Sequence, residues 1–228
     1  LQLTNDKDAD GLDDSIEDSS PNSGDANQDG TLDSLQNNVT SYINPVTNQP
    51  MIIQVDSQCS LTNVSTNPST NNSTQDTNFN YPLGLYNFTA NCGTPGYTTN
   101  FKAYYYGADT TKNYTLRKYN PNTNTYTTID NATFAVETIA GIPVLTATYT
   151  ITDGSSLDTD GLANGTIVDP AGPALTNPTT ATPATLPTAP NTGLNKNNLL
   201  VILLAVATIS IITIISYMVR TKRTIYKI

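Results

Sequence analysis

Residues 199–219 constrain this chain more than any other feature, because they form a mostly apolar run, with a few Ser and Thr and without a charged side chain. At about 1.5 Å per residue, a helix of this length reaches roughly 31 Å, which matches a hydrocarbon core of about 30 Å. A helix on the surface of a soluble domain keeps one polar face, whereas this run is apolar on all sides. The sequence therefore predicts one transmembrane helix over residues 199–219, with the lipid bilayer as a partner.

Four basic residues follow the apolar run, and they are Arg220, Lys222, Arg223 and Lys227. Because positive charge collects on the cytoplasmic side of a span, we expect a cytoplasmic C-terminus and an extracellular body. An exported body needs an export signal, and the sequence opens at Leu1 with neither a Met nor an apolar leader. We therefore expect the chain to be the C-terminal part of a larger single-pass protein of the cell membrane or cell wall.

A short motif lies directly ahead of the span, and it consists of Ala189, Pro190, Asn191, Thr192 and Gly193. The Pro-x-Thr-Gly group, the polar spacer, the span and the basic tail together resemble a sortase sorting signal of the LPxTG type over 189–228. The resemblance implies that a sortase cuts between Thr192 and Gly193 and joins the threonine carboxyl to the cell wall. Ala189 stands where that family usually has Leu, and the alternative is a plain membrane anchor.

Residues 175–192 are rich in Pro and Thr and predict an extended spacer.

The composition of the chain excludes several kinds of site. No histidine is present, so a Ser-His-Asp triad, a Cys-His pair and an ordinary zinc site are ruled out. The net charge of −9 is concentrated in residues 1–36, which hold ten carboxylates and one lysine. Such an acidic segment cannot bind nucleic acid by neutralising phosphates, but it can bind cations. We expect no enzyme activity in this chain.

The acidic segment contains the pattern D-x-[DN]-x-D-G-x-x-D twice, with a spacing of 19 residues. Calcium prefers six to eight oxygen ligands, and alternate positions on a tight loop can direct their oxygens to one centre. In the first loop the predicted ligands are Asp6, Asp8, Asp10, the backbone oxygen of Leu12, Asp14 and Glu17. In the second loop they are Asp25, Asn27, Asp29, the backbone oxygen of Thr31, and Asp33.

These repeats resemble thrombospondin type 3 repeats over residues 4–37, and that resemblance implies a calcium-loaded stalk over 1–37. Dockerin repeats are a second resemblance, although their longer spacing and helices are missing. The first loop should bind calcium more tightly, because it has Asp8 and Glu17 where the second has Asn27 and Gln36. The alternative is a solvated acidic linker that binds nothing.

The middle of the chain, residues 44–174, predicts an all-β domain. Thr, Tyr and β-branched residues favour strands, which we expect at 51–55, 84–90, 98–106, 114–119, 132–139 and 144–152. Frequent turn residues between them predict a β-sandwich, and the polar stretch 62–80 predicts a surface loop. The two cysteines, Cys59 and Cys92, predict a disulfide in an exported domain. Two reduced and unrelated thiols are the alternative.

Residues 152–173 carry a motif rich in Asp, Asn and Gly near the end of this domain. The motif resembles the closing segment of the choice-of-anchor U family, which lies ahead of C-terminal anchoring signals and has no catalytic activity attached to it. Asp158, Asp160, Asn164 and Asp169 either gather around a further calcium ion or form Asx turns that brace the last strand.

Together these features predict a non-catalytic, calcium-stabilised anchoring or stalk region that displays an adhesive or binding module of a larger secreted protein, whose extracellular ligand is unknown. The alternative is the membrane-proximal anchor of a surface hydrolase whose catalytic domain lies upstream. A minor third hypothesis is that the rings of Tyr104, Tyr105 and Tyr106 stack on a carbohydrate.

Overall fold

The computed structural model describes residues 5–178 and residue 214. The chain divides into two units, and the first, residues 1–179, holds all of the described residues except residue 214. In the described part of the chain no helix is long and apolar enough to cross a bilayer. The predicted sorting motif lies outside the described residues, as does the predicted span apart from residue 214.

The first unit is built from eleven strands and a few short turns of helix. The strands are β1 (Val39–Asn44), β2 (Gln49–Gln54), β3 (Ser60–Asn67), β4 (Phe79–Asn80), β5 (Leu85–Asn91), β6 (Thr98–Tyr105), β7 (Thr115–Asn120), β8 (Thr125–Thr128), β9 (Thr133–Ile139), β10 (Ile142–Thr152) and β11 (Thr166–Thr176). The short helices are α1 (Asp14–Glu17) and α2 (Pro21–Gly24), with 3-10 turns at Asp33–Leu35 and Ser69–Asn71.

The strands form two antiparallel sheets. The first has the order β1-β2-β6-β10-β9, and the second has the order β3-β5-β11-β7-β8, with β4 paired to β11. The largest core cluster draws on both sheets, because alternate residues of each strand turn inwards. The prediction of an all-β sandwich is confirmed.

Stacked aromatic rings fill the centre of the sandwich. The ring of Phe101 lies 4.9 Å from Tyr86, 5.0 Å from Phe88 and 4.7 Å from Tyr149, measured between centroids. All four side chains are buried. Offset aromatic contacts of this kind stabilise a core beyond the area that they bury.

The predicted surface loop at 62–80 is wrong for its first part, because β3 continues to Asn67. Leu61 and Thr66 are buried, and β3 pairs with β5 across a bulge between Thr62 and Ser65. The hydroxyl of Thr66 lies 2.7 Å from that of Tyr42, so this polar side chain has a partner inside the sandwich. Threonine is β-branched, and a polar strand of this type carries a weak sequence signal.

The sandwich also extends beyond its predicted limits. It begins with β1 at Val39, and β11 continues to Thr176, where a Pro/Thr-rich spacer had been expected from residue 175. Both prolines of β11 lie where only one neighbouring strand is paired. Pro170 precedes the residues that pair with β7, and Pro173 follows those that pair with β5. The missing N–H of each proline therefore need not break a hydrogen bond.

Cys59 and Cys92 form the predicted disulfide, which is confirmed. The bond closes a loop with a sequence separation of 33 and joins the start of β3 to the end of β5. Both sulfurs lie in the core cluster, and each residue is 1 % exposed.

Replacing both Cys59 and Cys92 with alanine is expected to lower the free energy of unfolding by about 3 kcal/mol, because the unfolded chain regains the entropy that the cross-link removes. Chemical denaturation measures the change. Wild-type protein in excess reductant is the control and should approach the double variant. Equal denaturation midpoints for all three samples would contradict the prediction.

Candidate metal centre

The two acidic loops fold with the same set of hydrogen bonds. In each loop the first Asp accepts from the glycine N–H five residues later, the third position accepts from the fifth, and the fifth accepts from the seventh. The distances are 3.2, 3.4 and 2.8 Å at Asp6, Asp8 and Asp10, and 3.1, 3.1 and 3.0 Å at Asp25, Asn27 and Asp29. The repeat inferred from the sequence is therefore also a structural repeat.

Glycine is required at the turn of each loop. Gly11 has a φ of 100° and Gly30 a φ of 92°, and L side chains rarely adopt this backbone region. The turn brings alternate side chains of the first loop together, so carboxylate oxygens of Asp6, Asp8 and Asp10 lie within 4.8 Å of one another. The loop thus builds the oxygen cluster that the pattern predicted.

Three carboxylate oxygens of the first loop are buried without a hydrogen-bond partner: Oδ1 of Asp6, Oδ2 of Asp8 and Oε2 of Glu17. A buried polar atom without a partner is costly, and an unpaired carboxylate is more costly than a neutral group. A bound cation would give all three of these oxygens a partner. Carboxylate oxygens are the ligands that calcium prefers.

The pKa values of two of these carboxyls, Asp8 and Glu17, are raised. Burial, followed by the charge of Asp10, raises the pKa of Asp8 to about 7. Burial raises the pKa of Glu17 to about 9, with added repulsion from Asp10, Asp8 and Asp33. Because each raised pKa marks an anion that its surroundings destabilise, a cation among these residues would be favoured.

Asp14 differs from the other predicted ligands of this loop, because it is paired with Lys7. Its Oδ1 accepts a 2.9 Å bond from the backbone N–H of Lys7, and its Oδ2 contacts the ammonium of the same lysine. The hydrogen bond from Lys7 lowers the pKa of Asp14. Asp33, at the equivalent position of the second loop, accepts a 3.2 Å bond from Ala26 N–H. At this position of each loop, a carboxylate oxygen accepts from the backbone N–H seven residues earlier.

The predicted ligand Glu17 is placed by β1. The Oε1 of Glu17 accepts a 3.2 Å hydrogen bond from the backbone N–H of Ser41, and the hydroxyl of Thr40 donates to Asp10 Oδ2 at 2.5 Å. Both β1 residues are fully buried. The first loop is therefore held by the edge strand of the sandwich, which fixes Glu17 close enough to Asp8 and Asp10 for their charges to raise its pKa.

The second loop is closed by neutral amides. The side-chain N–H groups of Asn27 and Gln36 donate to the two oxygens of Asp29, at 3.0 and 3.2 Å, and Gln36 also donates to the backbone oxygen of Thr31 at 3.4 Å. Asp25 accepts through both its oxygens from backbone N–H groups. Asp33 is fully buried with Oδ1 unpaired, and burial raises its pKa to about 6.

The second acidic loop covers part of the outer face of the first sheet. Tyr106 donates from its hydroxyl to the backbone oxygen of Ala26 at 2.7 Å, and Ala140 N–H donates to Gln28 Oε1 at 2.9 Å. Ala26 is the loop's contribution to a second apolar cluster, whose other members are Val39, Ile52, Tyr104, Tyr106, Ile139 and Val144. The loops and the sandwich therefore share a core.

Sequence reasoning missed this second cluster, although a signal was present. Met51, Ile52 and Ile53 are consecutive apolar residues in β2, and such a run indicates a strand buried on both faces. The run Tyr104, Tyr105 and Tyr106 is likewise buried on both faces of its strand. The three residues are at most 5 % exposed, so they do not offer rings for stacking on a carbohydrate.

The second group of predicted ligands is not brought together. Asp158 accepts from the backbone N–H groups of Gly154 and Val168 at 2.9 and 3.0 Å. Asp160 accepts from Leu162 N–H at 2.8 Å and from the Asn164 amide at 3.0 Å. Asp169 is fully buried inside the sandwich. These contacts fit the Asx-turn alternative, in which the side chains brace the approach to β11.

No protein-family model, curated protein or solved structure matches this chain.

Proposed function

We propose that residues 5–178 are a non-catalytic, calcium-stabilised module of an extracytoplasmic surface protein. The observation that carries this proposal is the set of three buried, unpartnered carboxylate oxygens in the first loop. Asp6, Asp8, Asp10 and Glu17 would hold the ion, with the backbone oxygen of Leu12. Calcium would supply the positive charge that these carboxylates lack and would fix the loop on β1.

Two further features support a module that is exported and non-catalytic. The disulfide is typical of oxidising compartments, and the absence of histidine removes the commonest general base. Residues 177–228 would supply a spacer and an anchor, as the resemblance to a sorting signal and the apolar run imply. In this role the module stands between the envelope and a displayed upstream portion.

Calorimetry with calcium tests the ion site directly. We expect binding at or below millimolar concentration, with loss of one binding event in an Asp8→Ala variant. Asp13→Ala is the matched control, because Asp13 only caps α1 through Ser15. Amide exchange of residues 5–36 should slow on adding calcium. The absence of heat and of any change in exchange would refute the calcium site.

A separate experiment tests the anchor. Protease added to intact cells that express the full-length precursor should remove the sandwich and spare an epitope placed after residue 228. Thr192→Ala should block any transfer to the cell wall and leave membrane attachment intact. Protection of the sandwich from protease would contradict the proposed orientation, whatever the calcium result.

A further inference from the structure

A lysine and an aspartate meet inside the sandwich, where charged side chains are rare. Lys118 lies on β7 and Asp169 on β11, with side chains 1 % and 0 % exposed, and the Nζ atom contacts Oδ1. Lys118 is the register partner of Ala171, so Asp169 is two residues away on the same face of the second sheet. The pair is therefore fixed by the register of two neighbouring strands.

Apolar and aromatic groups surround this pair. Phe88 is opposite Asp169 on β5, and Ile167 and Ala171 flank Asp169 along β11; all three are fully buried. Moving two charges out of water into such a site is costly, and the cost is lowered when the pair becomes neutral. A reaction that removes both charges from this buried site is therefore favoured by its surroundings.

Tyr149 completes the arrangement from the opposite sheet. Its hydroxyl donates to Asp169 Oδ2, the carboxyl oxygen that Lys118 does not contact, and the hydroxyl of Tyr86 lies 3.3 Å behind it. Burial, followed by the charge of Asp169, raises the pKa of Tyr149 well above its usual value, so the hydroxyl keeps its proton. Tyr149 can therefore polarise the carboxyl throughout a reaction at its carbon.

We propose that Lys118 and Asp169 condense to an intramolecular amide bond that joins β7 to β11. A proton first moves from Nζ to Oδ1, which leaves a neutral amine beside a carboxylic acid. The amine then attacks Cγ and forms the C–N bond. The Cγ–Oδ1 bond breaks, and Oδ1 leaves as water with two of the three ammonium protons. No oxidant, reductant or added cofactor is needed.

Each part of the site has a role in this step. The strand register holds nucleophile and electrophile in contact, which replaces a bimolecular encounter by an intramolecular one. Tyr149 stabilises the negative charge that develops on Oδ2 during attack, as the donors of an oxyanion hole do. The closed core excludes the water that would reverse the reaction.

Intact-mass spectrometry of the purified, folded protein tests the bond. We expect a mass lower than that of the disulfide-bonded sequence by one water. Tandem mass spectrometry of a digest should recover one branched species that contains both Lys118 and Asp169. Localisation is needed because the chain also has Asp-Gly steps that lose water by imide formation. Separate linear peptides for the two residues, with no branched species, would overturn the proposal.

Two comparisons sharpen the result. Lys102 and Glu137 form an ion pair of 2.8 Å at a more exposed position, with side chains 28 % and 40 % exposed. Their peptides should stay linear, which controls for cross-links made during handling. Tyr149→Phe, checked for a native circular dichroism spectrum, should form the amide about 100-fold more slowly after refolding. An unchanged rate would remove Tyr149 from the mechanism.

Discussion

Glu17→Gln is expected to abolish the stabilisation that calcium gives through the first loop, which is about 2.7 kcal/mol when the ion is at 100 times the dissociation constant of that site. In chelator the same variant should be at least as stable as the wild type. Glutamine keeps the acceptor for Ser41 N–H but removes a buried carboxylate whose second oxygen has no partner. Denaturation of both proteins, in chelator and in calcium, measures this difference. The variant should be the less stable protein in calcium but not in chelator.

The pH dependence of stability in chelator follows from the same residue. The pKa of Glu17 rises from its usual 4.5 to about 9 on folding, mainly through burial. Folding therefore takes up a proton between these values, and the associated stability is present below about pH 4.5 and lost as the pH rises through about 9. Asp8 adds a loss of the same sign as the pH approaches about 7. The Glu17→Gln variant should lack the part of the slope above pH 7.

Gln36→Glu in the second loop is the reciprocal control. It places a carboxylate where Gln36 now donates to Asp29 and Thr31. We expect a lower free energy of unfolding in chelator, because the new carboxylate repels Asp29, and a higher calcium affinity of the second loop. If calcium stabilised Glu17→Gln as much as the wild type, Glu17 would not be a ligand, and the first-loop site would have to be abandoned.

The loops were predictable in their internal structure and not in their placement. The spacing of Asp, Asn and Gly fixes a local turn, so the pattern alone was enough to predict that Asp6, Asp8 and Asp10 converge. The contact of Glu17 with β1 depends on where the loop docks, and no local pattern encodes that. The consequence is large, because a segment expected as a stalk is part of the sandwich's packing.

Some strands were predictable from the local sequence, and others were not. β6 and β10 were predicted within a few residues, because their aromatic and β-branched side chains give a strong local signal. β3 was missed because its side chains are mostly Thr, Asn and Ser, and its pairing with β5 depends on residues far along the chain. Asp169 was predicted as a turn or metal residue from a local motif, whereas the register of β11 turns it into the core.

Phe101→Ala is expected to have the largest effect on stability of any single substitution in the core, at about 4 kcal/mol. The side chain is 1 % exposed, and its ring lies within 5.0 Å of three aromatic neighbours that come from both sheets. Because neighbouring rings cannot collapse fully into the space, the variant loses both the buried area and the packing around it. Denaturant unfolding measures the loss.

Phe79→Ala is the matched control for this prediction. Phe79 lies on the two-residue strand β4 and is only partly buried. It packs against a small cluster at the margin of the sandwich, and the central guanidinium carbon of Arg117 lies 4.2 Å from its ring centroid. A contact of that kind contributes about 1 kcal/mol. The two variants remove the same atoms, so the difference between their losses of stability reflects only the position of each ring in the fold. Equal losses would contradict a core centred on Phe101, since a ring between the two sheets must stabilise the sandwich more than one at its margin.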